Sequence, residues 1–270
     1  MKPFFSIIIP TLNEEFFISR LLKNIQNQKE KDFEVIVVDA RSQDRTSQVV
    51  AGFSDLPLRF VQVNKKNVSY QRNYGADLSN GRYLVFLDAD AGVSASFLSH
   101  LKKAITNKKG LVFIPYIYPE KKDSQFEFIF SFVNIMIELS QNISKPFSSG
   151  GSMILEKNFF QLVGGFDEKL FLAEDHNIIK KAYQWGVRPK FEKNIKLKFS
   201  LRRMKKEGQL AFFYKNIISP AYLLLKGDIK DKIFDYEMGG AGYMRAEKGT
   251  SIEKFIKKNL MQIKKFLKTL

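Results

Sequence analysis

Asp88-Ala89-Asp90 places two carboxylates two residues apart, directly after the apolar run Tyr83-Leu84-Val85-Phe86-Leu87. Charges held that close repel unless a cation lies between them and a further ligand. A hard divalent ion, Mn2+ or Mg2+, takes one or two carboxylates and completes its shell with water and phosphate oxygens. It also neutralises charge building on a leaving diphosphate. Other polar groups follow apolar runs in the same way: Thr11, Asn13 and Glu14 after Phe4–Ile9, and Asp39 after Val35–Val38. Asp39 or Asp44 alone reads equally well as a helix cap. The recurrence behind several runs is what points to a ligand site.

The elements that would position these acids alternate over the first hundred residues. Phe4–Ile9, Glu34–Val38, Leu58–Val63 and Arg82–Leu87 read as strands, and Glu14–Gln28, Asp44–Phe53 and Ser69–Leu78 as the helices between them. Strand, helix, strand with short links builds an α/β fold with a mostly parallel twisted sheet flanked by helices. In such sheets ligands lie beyond the carboxyl ends of the strands, where the acids fall. Beyond residue 110 the alternation loosens: strands are expected at Leu111–Pro115, Ser152–Leu155 and within 189–200, and helices at Phe126–Leu139 and Glu174–Trp185. In the helix at Phe126–Leu139, Glu127, Ser131, Asn134 and Glu138 form one narrow polar stripe. A helix so apolar elsewhere is buried or rests against something greasy. From about residue 203 the pattern is helical and rich in lysine.

Several motifs together resemble glycosyltransferase family 2, whose fold is GT-A. Ser6–Glu15 is similar to its opening strand, and Val35–Asp39 with Ser42, Asp44 and Thr46 to its second motif. Gln71-Arg72-Asn73-Tyr74-Gly75-Ala76 and Gly81-Arg82-Tyr83 with Leu87–Asp90 resemble the third and fourth. Gly164-Gly165-Phe166-Asp167-Glu168 with Glu174-Asp175 resembles the acceptor-side motif.

The resemblance implies an inverting, metal-dependent, non-processive transfer of a sugar from a nucleotide-sugar donor, leaning to UDP, onto an acceptor hydroxyl. Pro10, Thr11, Asn13 and Glu14 would flank the base and ribose. Asp39 would accept the imide N–H of the base. Arg72 would contact the base or phosphates. Asp88 would hold the ribose or a metal-bound water, Ala89 would line the site between the two acids, and Asp90 would hold the metal. Arg202 and Arg203 would close over the diphosphate, with a solvated helix start as their alternative. Gly150, Gly151, Glu174 and His176 fall on the acceptor side, His176 as a local hydrogen bonder. Asp175 would be the general base that takes the acceptor's proton. Two positions depart from the family pattern: Ala40 replaces an acid beside Asp39, and Asn177 replaces one after Asp175. The expected organisation is a catalytic domain over 1–200, with a nucleotide half to 110 and an acceptor half from 111. A helical extension over 201–270 would pack on it or on a membrane.

Charge and composition bound the partners. The 270 residues carry 44 Lys+Arg against 28 Asp+Glu, a net charge of +16, which favours a polyanion without choosing among anionic membrane, nucleic acid and phosphorylated ligand. There are no cysteines, so disulfides, thiol nucleophiles and Cys-ligated zinc are excluded. No apolar run approaches the ~20 residues of a spanning helix, and no secretory signal is read at the N-terminus. A cytoplasmic protein is expected, peripheral on the inner membrane face. Ile252, Phe255, Ile256, Leu260, Ile263, Phe266, Leu267 and Leu270 recur among lysines as a basic amphipathic helix, suited to that surface or to packing on its own domain. The acceptor is then lipid-linked or part of the cell envelope. A nucleic-acid-binding protein is the rival of another class, although most of the 26 Phe fall in apolar runs rather than along a basic face. A nucleotide-binding relative without catalysis is the other rival, disfavoured by the presence of both Asp90 and Asp175.

Overall fold

The computed structural model describes residues 2–120, 124–141, 148, 152–170 and 174–201. Gly150, Gly151, Arg202, Arg203 and the lysine-rich segment to residue 270 lie outside the described residues.

Four parallel strands form the first half of the sheet: β1 Phe5–Thr11, β2 Phe33–Asp39, β3 Leu58–Gln62 and β4 Tyr83–Phe86. Three helices link them: α1 Ile18–Gln26, α2 Thr46–Ala51 and α3 Val68–Leu78. The β1 strand is buried along its whole length, as a central parallel strand covered on both faces must be. Ile18, Leu21, Leu22 and Ile25 of α1 are buried at helical spacing. That helix starts four residues later than its apolar pattern predicts, because the Glu14 carbonyl accepts from Phe17 and Ile18 N–H and holds a turn first.

The second half comprises β5 Gly92–Val93, α4 Phe97–Lys108, β6 Val112–Pro119, α5 Ser124–Ser140, β7 Met153–Glu156, α6 Lys157–Leu162, α7 Glu174–Gln184 and β8 Lys190–Phe199. The order across the eight-stranded sheet is β3-β2-β1-β4-β7-β6-β8-β5. Among these strands β7 runs antiparallel to β4 and β6, and β5 antiparallel to β8, so the sheet is mixed, with the parallel direction dominant. The expected scheme has no element at β5, α4 or α6. In α4, Phe97, Leu98, Leu101 and Ile105 face the core. The short strands expected over 189–200 are one strand, whose register shifts between Pro115 and Tyr116 of its partner β6.

In the polar stripe of helix α5, Glu127, Ser131 and Glu138 are exposed and Asn134 alone turns inward. Asn134 is buried and clamps β6, its Oδ1 accepting from Ile117 N at 3.0 Å and its Nδ2 donating to Ile117 O at 2.6 Å. Phe130 and Ile137 are buried with it, while Phe128, Phe132, Ile135, Met136 and Leu139 are exposed. The Ile117 N–H and C=O need partners, and the Asn134 amide can both accept and donate. No helix among the described residues is long and apolar enough to cross a membrane.

Candidate active site

Three consecutive residues of α3 fasten three different parts of the cleft. The Gln71 amide donates to the carbonyls of Thr11 at 2.9 Å and Val38 at 2.7 Å, tying the carboxyl ends of β1 and β2. Arg72 reaches the other way, Nη2 to Asp88 Oδ1 and Nη1 to Glu174 Oε1, both at 2.7 Å. Asn73 accepts from Phe166 N at 2.9 Å and donates to Phe166 O at 2.9 Å and Glu168 Oε1 at 3.1 Å. Helix α3 approaches the sheet closely enough to do this because residue 75 is glycine: a Cβ there would lie 2.5 Å from Ile8 Cγ2.

The loops after β1 and β2 are stitched together by short polar side chains. Asn13, with φ of 55°, donates its N–H to Ser42 Oγ at 2.8 Å and accepts from Gln43 N at 2.7 Å. Buried Glu14 donates its N–H to Thr46 Oγ1 at 2.8 Å. Asp44 caps the start of α2, accepting from Thr46 N at 3.0 Å, and also accepts from Glu15 N at 3.0 Å. Pro10 and Thr11 are the last two residues of β1.

Asp39 ends β2 and is fully buried. Its Oδ1 accepts from Thr11 Oγ1 at 2.9 Å and Ser42 Oγ at 2.5 Å, its Oδ2 from Ser42 N at 2.9 Å and Gln62 Nε2 at 3.4 Å. Four donors fill a carboxylate, and the contact with Gln62 is the loosest of them. Gln62 also lines an open groove of about 430 Å³ with Arg41, Asn64, Lys65, Tyr70 and Tyr74. Lys65 sits 5.0 Å over the Tyr70 ring, and Tyr70 stacks on Tyr74 at 6.0 Å. Of these groove residues only Tyr74 falls within a motif recognised in the sequence, and there without a role. Gln62 could have been found by the same rule that found Asp39, since it ends a parallel strand.

Arg72 is only 2% exposed, so its guanidinium is closed off from the base or phosphate contact expected of it. Burial opposes its charge, but Asp88 and Glu174 overcome that and raise its pKa above the ordinary arginine value. The guanidinium also lies 5.4 Å from the Phe166 ring centre. Asp88 is 41% exposed on its far side and free to face a ligand there. Ala89 is buried between the two acids, and a turn from Asp88 O to Ala91 N carries Asp90 forward. Arg20 holds that turn, Nη2 to the Asp90 carbonyl at 2.5 Å, while Nη1 pairs with Glu120. Among the described residues no three His, Cys, Asp or Glu side chains cluster as a closed metal cage. Two oxygen donors on a turn suit a hard ion that keeps open positions for phosphate oxygens and water.

Glu174, Asp175 and His176, expected on the acceptor side, stand on the first turn of α7. Glu174 is drawn into the Arg72 pair. Asp175 is 6% exposed, and its carboxylate has no hydrogen-bond or ion-pair partner among the described residues. His176 Nδ1 accepts from Ser148 N at 3.0 Å, a residue 28 positions earlier in the chain. Asn177 is buried with Oδ1 unpartnered among the described residues. The structure thus gathers Asp88 and Glu174 around one guanidinium, with Asp90 two residues beyond Asp88 and Asp175 next to Glu174 in α7.

The family model "Glycosyl transferase family 2" matches residues 6–163, more than half of the chain. The chain belongs to glycosyl transferase family 2. It is 31% identical over 184 residues to the GalNAc(5)-diNAcBac-PP-undecaprenol beta-1,3-glucosyltransferase of Campylobacter jejuni subsp. jejuni, the match covering 67% of this chain and 52% of that protein. It is 25% identical over 195 residues to glycosyltransferase GlyA of Streptococcus pneumoniae, covering 66% of this chain and 28% of that one. The matches thus span only part of these relatives' length. Among solved structures, S. aureus TarS in complex with UDP-GlcNAc superposes with a TM-score of 0.62 at 23% identity, covering 84% of this chain and 67% of that one. The mannosyltransferase PcManGT from Pyrobaculum calidifontis, in complex with GDP-Man and Mn2+, does so at 0.63 and 22%, covering 84% and 71%. The fold of this family 2 chain is GT-A: a mixed, curled sheet flanked by helices.

Proposed function

We propose that this family 2 chain transfers a sugar from a UDP-linked donor to an acceptor hydroxyl with inversion. The observation that supports the reading is the Arg72 bridge, which joins Asp88 to Glu174 at the start of α7, the helix whose next residue is Asp175. The base would enter past Gln62, and its imide N–H would replace the 3.4 Å contact of that side chain with Asp39 Oδ2. Only one acceptor position on Asp39 is loosely filled. A single imide N–H suits it better than the paired N–H donors of guanine, which need both oxygens. Pro10, Thr11, Asn13 and Glu14 would frame the ribose side of the site.

Asp90 and the exposed edge of Asp88 would hold Mn2+ or Mg2+. That ion would supply charge neutralisation at the diphosphate. Arg20 and Arg72 keep the two acids in place, one through the backbone and one through the carboxylate. Asp175 would accept the proton of the acceptor hydroxyl as its oxygen bonds to the anomeric carbon and the bond from that carbon to the diphosphate oxygen breaks. Displacement from the face opposite the leaving group inverts the centre. Arg72 acts here through its partners and not on the nucleotide.

The Campylobacter relative is named for an undecaprenol-linked acceptor. A lipid-linked acceptor is therefore the class proposed for this chain, met at the cytoplasmic face of a membrane. The test is a donor panel read by thermal stabilisation and by product formation. UDP-sugars with Mn2+ should raise the melting temperature more than GDP-sugars, and Asp90→Ala should remove the metal's share. Asp175→Asn should keep donor stabilisation and lose transfer. Unchanged turnover in Asp175→Asn would contradict the assignment of the base.

A further inference from the structure

The outward face of α5 is apolar along its length. Phe128, Phe132, Ile135, Met136 and Leu139 are 76%, 56%, 53%, 42% and 59% exposed. Their spacing sets them on one stripe. The helix cannot roll to hide them, because Asn134 fixes its inward face to the Ile117 backbone. Scattered exposed apolar side chains are ordinary; a contiguous helical stripe of five large ones marks a binding surface.

A cavity of about 360 Å³ adjoins the stripe, lined by Tyr116, Asn134, Ile135, Glu138, Lys193 and Lys196. Lys193 pairs with Glu138 at 3.3 Å, while Lys196 has no ion-pair partner among the described residues. The register of β6 with β8 sets Tyr116 beside Lys196 and Tyr118 beside Lys198. Tyrosines and lysines therefore stand together at the margin of an apolar helix face. Apolar side chains suit acyl chains, tyrosine rings suit the headgroup level, and lysine stems lie along apolar surface with their charge at the phosphates. The net charge of +16 adds attraction to an anionic leaflet.

We propose that this face docks on a bilayer containing anionic phospholipid, with the α5 stripe among the upper acyl chains and Lys193 and Lys196 at the phosphates. The use of such docking rests on the proposed glycosyl transfer: α5 ends at Ser140, and Ser148 soon after it donates to His176, the neighbour of Asp175. A bilayer held at α5 would bring a lipid-linked acceptor to the side of the cleft where Asp175 stands.

The test is flotation of the full chain with vesicles of phosphatidylcholine alone or mixed with phosphatidylglycerol. The protein should float with the mixed vesicles. Phe132→Glu with Leu139→Glu should lower the bound fraction about tenfold or more. Lys196→Glu should lower it severalfold on mixed vesicles only. Melting temperature and solution mass are measured on the same variants. Failure of the wild type to float overturns the proposal. So does flotation left intact while the double variant melts several degrees lower, which would mean that segment 202–270 covers the stripe. A loss of dimer mass with flotation unchanged would assign the stripe to a second copy and overturns it equally. Release of UDP from a water-soluble donor, which needs no bilayer, reads the glycosyltransferase assignment separately: flotation without any release removes that assignment and leaves the docking.

Discussion

Arg72 and Glu174 are separated by 102 residues in the chain and meet at 2.7 Å, guanidinium Nη1 to carboxylate Oε1. With Nη2 on Asp88 at the same distance, one buried side chain joins the end of β4 to the start of α7. Arg72→Met should leave two carboxylates facing each other without a cation. Asp88 is partly solvated, so the cost should be roughly 2–3 kcal/mol, below the 3–5 kcal/mol of a fully buried broken pair. Transfer should fall at least tenfold, and Arg72→Lys should rescue stability better than activity, because an ammonium cannot hold both acids in a fork. Chemical denaturation and donor turnover on both variants check this.

Glu168 ties the loop before α7 to α3 through Asn73 and to the segment preceding α3 through Lys65. Burial raises its pKa, but the hydrogen bonds to Lys65 and Asn73 outweigh that and leave it below the ordinary 4.5. A depressed carboxyl stabilises the fold above its unfolded value and loses that contribution as pH falls through the folded one. Stability should therefore drop on acidification below about pH 4.5, with this pair contributing about 0.5 kcal/mol because it is solvated. Glu168→Gln should flatten that part of the stability profile; an unchanged profile would remove Glu168 from the account.

Gly75→Ala would set a Cβ 2.5 Å from Ile8 Cγ2 and 3.2 Å from Val38 Cγ2. Ile8 is fully buried in the central strand and has little room to yield. We expect a loss of about 1–3 kcal/mol from overpacking. Donor binding should weaken as well, since the displaced helix carries Gln71, Arg72 and Asn73. Thermal melts with and without UDP-sugar separate the two effects.

Asn134→Ala would strand the N–H and C=O of Ile117 in a buried site. Leaving both unpaired should cost roughly 2–3 kcal/mol. Asn134→Asp should also destabilise, because it keeps the acceptor and loses the donor. A melting curve unmoved by either change would mean that α5 is held on the sheet by Phe130 and Ile137 alone.

The first half of the fold was legible because its signals are local. Apolar runs the length of a strand, helical spacing such as Leu21-Leu22-Ile25, and acids just past the strand ends all lie within short windows of sequence. The positions of Asp39, Asp88 and Asp90 at those strand ends follow from that. What escaped depends on distant partners. Nothing near Arg72 in sequence announces that its charge is taken by Glu174, and a forked cation in a phosphate-binding family invites the opposite reading. Asn134 likewise belongs to a polar stripe whose other members are exposed, and only the distant backbone of Ile117 draws it inward. Arg20 carries no local signal either, because its partners, Asp90 O and Glu120, belong to other parts of the chain. Helix α4 is a different case: its buried positions were visible in the sequence and simply carry no chemistry.

Strand β7 occupies the middle of the sheet although it is made late in the chain. It lies between β4 and β6 and pairs with both, Val85 against Ile154 and Phe113 against Ile154. While the polypeptide is being synthesised, β1 to β4 and their helices can assemble in order, each new strand meeting one already present. β6 must wait, because the strand that joins it to β4 leaves the ribosome some forty residues later. The first four strands can therefore mature first and serve as a template, and the second half closes late, when β7 joins β6 to β4 and β8 then pairs with β6 and β5. The slowest stage of folding, and the one most exposed to misassociation, should lie at that insertion.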